Sequence, residues 1–375
     1  MLTNFGLLTS EQKTIWSMDL WKNARNQSFV NKFLGAGTNS MVQHITELKQ
    51  SEKGARAVIT LLADLQGDGV AGDRTLENNE EGMQTFEQVI RVDQLRHSNR
   101  HEGRMADQKS IVSFRENSKN VLAYWLADRI DQMAFQTLAG IGYQYRPNGA
   151  TRVGSDLSNL EFAADVSAPS LRRMTRWDVA NKKLWHNGNK ATNENTSAAV
   201  TTTDYPTWQM FVQLKAYAKD RYIRGVSNGG GEESFHAFLT PQAMAKLKQD
   251  TDYMANLRYS QSKDVNDNLF TGNTVKIDGI YLHEFRHVPN TSGLTAGKYG
   301  ASGTVDGCQV LFCGAQALGM ADIKTPEWNE KGFDYDNSQG IAVGKILGFL
   351  KPKFGNIYES NAVEDFGVVS CYTAQ

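Results

Sequence analysis

Between positions 117 and 139 apolar side chains return every three to four residues. Val121, Leu122, Trp125, Leu126, Ile130, Met133, Ala134 and Leu138 make one broad stripe, with Lys119, Asp128 and Asp131 mostly off it. Asn117 or Ser118 can cap the start and Gly140 the end, so the pattern predicts a helix over 117–139, about 35 Å long. Upstream the period shortens. Residues 57–65 are an apolar run of strand length, and 86–95 alternate, Phe86, Gln88, Ile90 and Val92 against Glu87, Arg91 and Asp93, with Val89 blurring the pattern. Between them lies a glycine-rich acidic passage containing Gly67, Asp68, Gly69, Gly72, Asp73, Glu77, Glu80 and Glu81. This predicts two extended strands joined through a long polar tip. A two-stranded ribbon is marginal alone in water; it needs a surface, which a neighbouring subunit could supply.

The first fifty residues read less clearly. Trp16, Leu20, Trp21, Phe29, Phe33 and Leu34 are scattered among polar residues, and Gly35 to Gly37 interrupt them. Such a stretch either packs on another molecule or is an N-terminal helix docked on its own domain. From Gly140 to about Tyr205 the chain is polar, with a short helix expected around 171–184. A second clear helix starts near Pro206, with Trp208, Phe211, Val212, Lys215 and Tyr222 at helical spacing. Asn228-Gly-Gly-Gly breaks the chain, 235–239 is a strand, and Thr240-Pro241 opens a helix through Met244 and Leu247. Strands follow at 274–277, at 280–288 after an Asp278-Gly279 turn, and around 310–312, 341–343 and 368–369. Helices and strands mix without a βαβ rhythm, which is the pattern of an α+β fold.

The chain has 375 residues, enough for two lobes with accessory arms. Its 40% hydrophobic and 22% charged residues are those of an ordinary globular protein. A net charge of -1 argues against a dedicated nucleic-acid reader and fits a wall that encloses nucleic acid without gripping it. Cys308, Cys313 and Cys371 are too few and odd in number for a disulfide framework; buried thiols in a reducing compartment are expected. No signal peptide or membrane-spanning run is expected, which predicts a soluble, cytoplasmically made chain.

Several motifs could carry chemistry. His283-Glu284-Phe285-Arg286-His287 matches the zinc-protease pattern, which works when a helix puts both histidines on one face. Here Asp278-Gly279 and Pro289 bracket an alternating segment, and on a strand residues four apart stand about 13 Å apart, too far for one zinc. A surface-facing polar strand is the expected reading. Asp64 to Gly69 resembles the start of a calcium loop, but Thr75 stands where a bidentate Glu is needed. Asn228 to Glu232 lacks the Lys-Ser/Thr of a phosphate loop. No catalytic constellation emerges from spacing.

Short segments, in order along nearly the whole chain, resemble the N-four-like family of tailed-phage major capsid proteins. They are Leu62-Ala-Asp-Leu-Gln-Gly-Asp-Gly-Val-Ala-Gly-Asp with Leu76-Glu-Asn-Asn-Glu-Glu, Val92-Asp-Gln-Leu-Arg-His, and Leu126-Ala-Asp-Arg-Ile-Asp with Leu138-Ala-Gly. Phe238-Leu-Thr-Pro-Gln-Ala, Asp278-Gly-Ile, Gly314-Ala-Gln-Ala, Asp334-Tyr-Asp-Asn, Gly340-Ile-Ala-Val-Gly-Lys-Ile-Leu-Gly-Phe-Leu-Lys-Pro-Lys-Phe and Asp365-Phe-Gly-Val-Val complete the set. Residues 141–204 match least.

The resemblance implies the Hong Kong 97-type capsid fold: an N-terminal arm (1–50), an extended loop or β-ribbon (51–110), a peripheral domain (111–205) with spine helix 117–139, an axial domain (206–321) and a return to the peripheral domain (322–375). It implies a shell of hexamers and pentamers around double-stranded DNA, not an enzyme, with no catalytic residue, cofactor or metal. Inter-subunit contacts are expected at the tip residues Gly67, Asp68, Gly69, Gly72, Asp73, Glu77, Glu80 and Glu81, and at the arm residues Trp16, Trp21, Phe29 and Phe33. Expected partners are copies of the chain, portal, scaffold and possible decoration proteins, and packaged DNA contacted non-specifically, with no membrane. The expected place is the virion capsid, assembled in the host cytoplasm. The rival readings are an encapsulin-type compartment shell and a zinc peptidase through His283 and His287.

Overall fold

A computed structural model describes residues 10–45, 56–62, 65, 67–82, 85–105, 113–189, 193–227, 233–260, 274–356 and 362–375. Its helices are α1 (Ser10–Gln27), α2 (Phe114–Ala139), α3 (Trp208–Asp220), α4 (Pro241–Leu247) and α5 (Thr251–Ser260). The first nine strands are β1 (Leu34–Gly35), β2 (Val42–Ile45), β3 (Arg56–Leu62), β4 (Thr85–Arg91), β5 (Asp93–Arg100), β6 (Met174–Asp178), β7 (Lys183–Trp185), β8 (Val226–Ser227) and β9 (Glu233–Leu239). The rest are β10 (Thr274–Ile277), β11 (Ile280–Glu284), β12 (Gly307–Cys313), β13 (Leu318–Phe333), β14 (Ser338–Leu350), β15 (Lys353–Asn356), β16 (Ala362–Asp365) and β17 (Val368–Ala374).

Two sheets carry the fold. The larger runs β10-β11-β9-β12-β17-β6-β7, with β8 also paired to β9; the smaller runs β1-β2-β13-β14-β5. Separate pairs are β3 with β4 and β15 with β16. Strands β12 and β17 are buried at every position, which their near-continuous apolar sequences require of central strands covered on both faces. In the smaller sheet β13 and β14 form a long antiparallel hairpin whose register shifts between Ile323 and Glu327. Pro326 sits in that irregular stretch, where its missing N–H breaks no ladder bond, and the Ser17 hydroxyl of α1 donates to its carbonyl.

Helix α2 lies against both sheets. It starts three residues before the predicted 117, because Ser113, in extended conformation, takes the N-cap position and its carbonyl accepts from the backbone N–H (3.1 Å) and side chain (2.8 Å) of Asn117. Gly140 ends it as expected, left-handed at φ 72°. From Asp131 to Ala139 every residue is buried, and Gln309 of β12 donates to the orphan carbonyl of Ala139 at 3.0 Å. The Thr240-Pro241 start also holds, with the Thr240 hydroxyl accepting from the Ala243 N–H at 3.2 Å. Asp278 and Gly279 both adopt positive φ, as a two-residue hairpin turn demands.

Three expectations change. No α-helix spans 171–184: a single 3-10 turn at Leu171–Arg173 leads into β6, which pairs in parallel with β17, and on into β7. Strand pairing with residues almost two hundred positions away overrides the local pattern. The ribbon ends at Arg91, and β5 joins the smaller sheet by pairing with β14. Strand β17, expected with the peripheral segment 322–375, lies in the larger sheet between β12 and β6. The glycine break at 228–232 and Asp64 of the calcium-like loop lie outside the described residues.

Candidate functional site

Strands β3 and β4 pair over seven residues, from Arg56 opposite Arg91 to Leu62 opposite Thr85. With period-two alternation, Ala57, Ile59 and Ile90 turn inward and are buried with Ile45, Val92, Ala321, Leu350 and Phe354 in a core of their own. The seat is made by glycines. A Cβ on Gly319 would stand 2.1 Å from Ile59 Cδ1, and one on Gly348 would stand 2.2 Å from the carbonyl oxygen of Arg91. The Gln88 side chain accepts from the backbone N–H of Lys353 at 2.9 Å and donates back to its carbonyl, so one amide pins the ribbon root to β15. None of these anchors is visible in the sequence, where a glycine within a strand reads only as a weak position.

The outer face is different. Val58 and Val89, directly paired, are 40% and 43% exposed. Beyond them the tip leaves the body: Gly67, Asp68, Gly69, Gly72, Asp73, Glu77, Glu80 and Glu81 are all exposed, as are Leu65 and Leu76. Gly69 and Gly72 hold positive φ. The tip closes on itself by few bonds, among them Gly67 N–H to Glu81 Oε2 at 2.6 Å and Asn79 N–H to the Leu76 carbonyl at 3.0 Å. The structure therefore brings together all eight sequence-expected tip residues on one exposed, acidic lobe.

The four arm aromatics pack inward on their own chain. Trp16 lies 5.7 Å from Trp328, and Lys345 Nζ stands 4.1 Å over the Trp21 ring. Phe29 stacks on Phe285 at 4.3 Å, and Phe33 meets Phe238 edge-on at 5.4 Å. Buried Asp131 of α2 fixes this turn by accepting from Ser28 Oγ (2.7 Å), Phe29 N–H (2.8 Å) and Val30 N–H (3.1 Å). Burial raises the Asp131 carboxyl above its ordinary value against the pull of those donors. Lys345 also pairs with Asp322; burial raises that carboxyl, but His44 and Lys345 outweigh it and hold Asp322 low. What the arm shows outward are Ile15, Met18, Lys22 and Arg25.

The zinc-protease pattern does not form a site. Strand β11 stops at Glu284, so the expected strand over 280–288 is shorter, and His283 is buried instead of facing solvent. Its Nε2 lies 3.0 Å from Nδ1 of His236 on β9, and burial pushes His283 down to about 3 and His236 to about 4. His287 lies past the strand with Nε2 2.7 Å from Asp128 Oδ1 on α2. The two motif histidines thus serve different partners on different elements. Cys308, Cys313 and Cys371 are free and fully buried, and burial lifts Cys308 to about 11 and Cys371 to about 12, so these thiols are inert packing.

Comparison with known proteins points one way. The family described as phage capsid protein matches residues 4–375. The major capsid protein of Pseudomonas phage KPP25 is 58% identical over 373 residues, which cover 99% of this chain and 97% of that one. Among solved structures, the capsid of Ralstonia phage GP4 superposes with a TM-score of 0.75 at 22% identity, covering 93% of this chain and 91% of that chain. The capsid asymmetric unit of cyanophage Pam1 follows at a TM-score of 0.68 and 17% identity, covering 100% and 99%.

Proposed function

The chain belongs to the phage capsid protein family, and from that premise we propose that its ribbon is the arm by which copies are tied into a closed shell. It is a major capsid protein with the Hong Kong 97-type fold, and a structural protein, not an enzyme. That reading displaces both the compartment shell and the zinc peptidase. The phage is of the tailed, double-stranded DNA kind, and the shell an icosahedral arrangement of hexamers and pentamers around its genome. We further assign portal, scaffold and possible decoration proteins as partners and the host cytoplasm as the place of assembly. In this reading α2 is the spine of the peripheral domain and the segment between α3 and β12 surrounds the axes of the rings.

One observation carries the mechanism: the ribbon root is seated on its own chain, whereas its outer face and tip are covered by nothing in that chain. A hairpin with Val58 and Val89 outward and a glycine-jointed tip gains burial only from a neighbour. Each contact is modest, but a closed lattice holds every copy through several neighbours at once, and multivalency makes the whole stable. Gly69 and Gly72 let one tip sequence fit both hexamer and pentamer surroundings. Deleting residues 66–81 leaves folded subunits that fail to close shells; normal shells from that deletion would refute the role.

A further inference from the structure

Helix α1 and the turn after it enclose a cavity of about 500 Å³ lined by Met18, Trp21, Lys22, Arg25, Asn26, Ser28, Asn31 and Lys32. Three of these side chains are cationic and none is acidic. Among the described residues, no salt bridge occupies Lys22, Arg25 or Lys32. Asn31 is the telling residue. Its Nδ2 and Oδ1 are both shut off from solvent and neither has a hydrogen-bond partner. An amide left so costs about 1–3 kcal/mol per unmet group, and it is relieved only by a visitor that both accepts and donates.

We propose that this cavity receives the acidic ribbon tip of a second copy of the chain. The inference rests on the reading of the ribbon as an inter-subunit arm and names where the arm lands. Between residues 67 and 82 the tip carries the carboxylates of Asp68, Asp73, Glu77, Glu80 and Glu81 against the single base Arg74. Its glycine-rich backbone makes few bonds within its own chain, so it offers free N–H and C=O groups. Carboxylates answer Lys22, Arg25 and Lys32, a peptide group answers both ends of Asn31, and exposed Leu65 and Leu76 can meet Met18 and Trp21. A nucleic-acid phosphate fits less well, because it accepts hydrogen bonds and cannot donate to Asn31 Oδ1.

The test titrates a fluorescein-labelled peptide of residues 65–82 with the full-length chain below its assembly concentration, beside a short single-stranded oligonucleotide. The peptide binds in a salt-sensitive way. Lys22→Glu with Arg25→Glu weakens it at least about tenfold and Asn31→Leu about fivefold, and reversing Asp73→Lys and Glu77→Lys in the peptide restores binding to the reversed arm. Because the reversed peptide must also lose affinity for the unaltered chain, the test survives if an arm variant fails to fold. Equal binding by unaltered and reversed peptide overturns the proposal, as does an oligonucleotide that binds more tightly through Asn31. If the arm variants change nothing while deletion of 66–81 still abolishes shells, the landing place is wrong and the ribbon stands. If that deletion leaves shells intact, the ribbon reading itself falls.

Discussion

Gly348→Ala adds one methyl group to β14 beneath the ribbon root. Its Cβ would lie 2.2 Å from the Arg91 carbonyl oxygen and 3.1 Å from both Ile90 Cγ2 and Val92 Cγ1. An ordinary C···O contact is about 3.3 Å, so the carbonyl has to retreat by about 1 Å. A backbone carbonyl at the junction of β4 and β5 cannot turn aside as a side chain can; it takes Ile90, fully buried, with it. Overpacking of this kind costs about 1–3 kcal/mol, offset by about 0.5–1 kcal/mol from the loss of glycine's freedom in the unfolded chain. A net loss of about 1–2 kcal/mol follows, with the ribbon root loosened. Gly319→Ala is the control. Its added methyl lies 2.1 Å from Ile59 Cδ1, the far end of a side chain that can change rotamer, so its cost stays under about 1 kcal/mol. Urea midpoints by tryptophan fluorescence measure the stabilities, and limited proteolysis of the tip measures the loosening. If Gly319→Ala proves the more damaging, or Gly348→Ala unfolds at the parent's midpoint with an equally resistant ribbon, the glycine seat is not what holds the ribbon.

Other expectations follow from buried charge. Lys351 and Asp365 are both 1% exposed and 3.2 Å apart, so Asp365→Ala strands a buried ammonium and costs about 3–5 kcal/mol; a loss below about 1 kcal/mol in urea denaturation would contradict this. The His236–His283 pair is held neutral, with pKa values of about 4 and about 3. Unfolded histidines take up protons below their ordinary pKa of about 6.5 while these do not, so stability falls as pH drops from there toward about 4. Two such groups give a slope approaching about 2.7 kcal/mol per pH unit near pH 5, and His283→Phe halves their share; an unchanged pH profile in that variant would show that the pair does not titrate this way.

Legibility in the sequence tracked the range of the physical cause. The spine helix, its Gly140 end, the Thr240-Pro241 start and the Asp278-Gly279 turn are set by neighbours in the chain, and each stands where local chemistry puts it. The ribbon and its exposed acidic tip were readable because alternation and glycine content are local too. The segment 171–184 was not, since β6 owes its strand form to β17, and Arg176 is held by Asp204 at 2.9 Å and by the Glu194 carbonyl at 2.7 Å. The arm's aromatics announced burial but not against what; Asp131 and Phe285, more than a hundred positions away, decide it. The glycine seat left no signal, because only the distance to Ile59 and the Arg91 carbonyl shows why a side chain is excluded there.

Negative-stain electron microscopy of the purified full-length chain, paired with sedimentation, tests the shell-building role most directly. Closed icosahedral particles, or rings of five and six subunits, are the predicted result. A chain that stays monomeric even when produced together with the other head proteins of its phage would contradict the account.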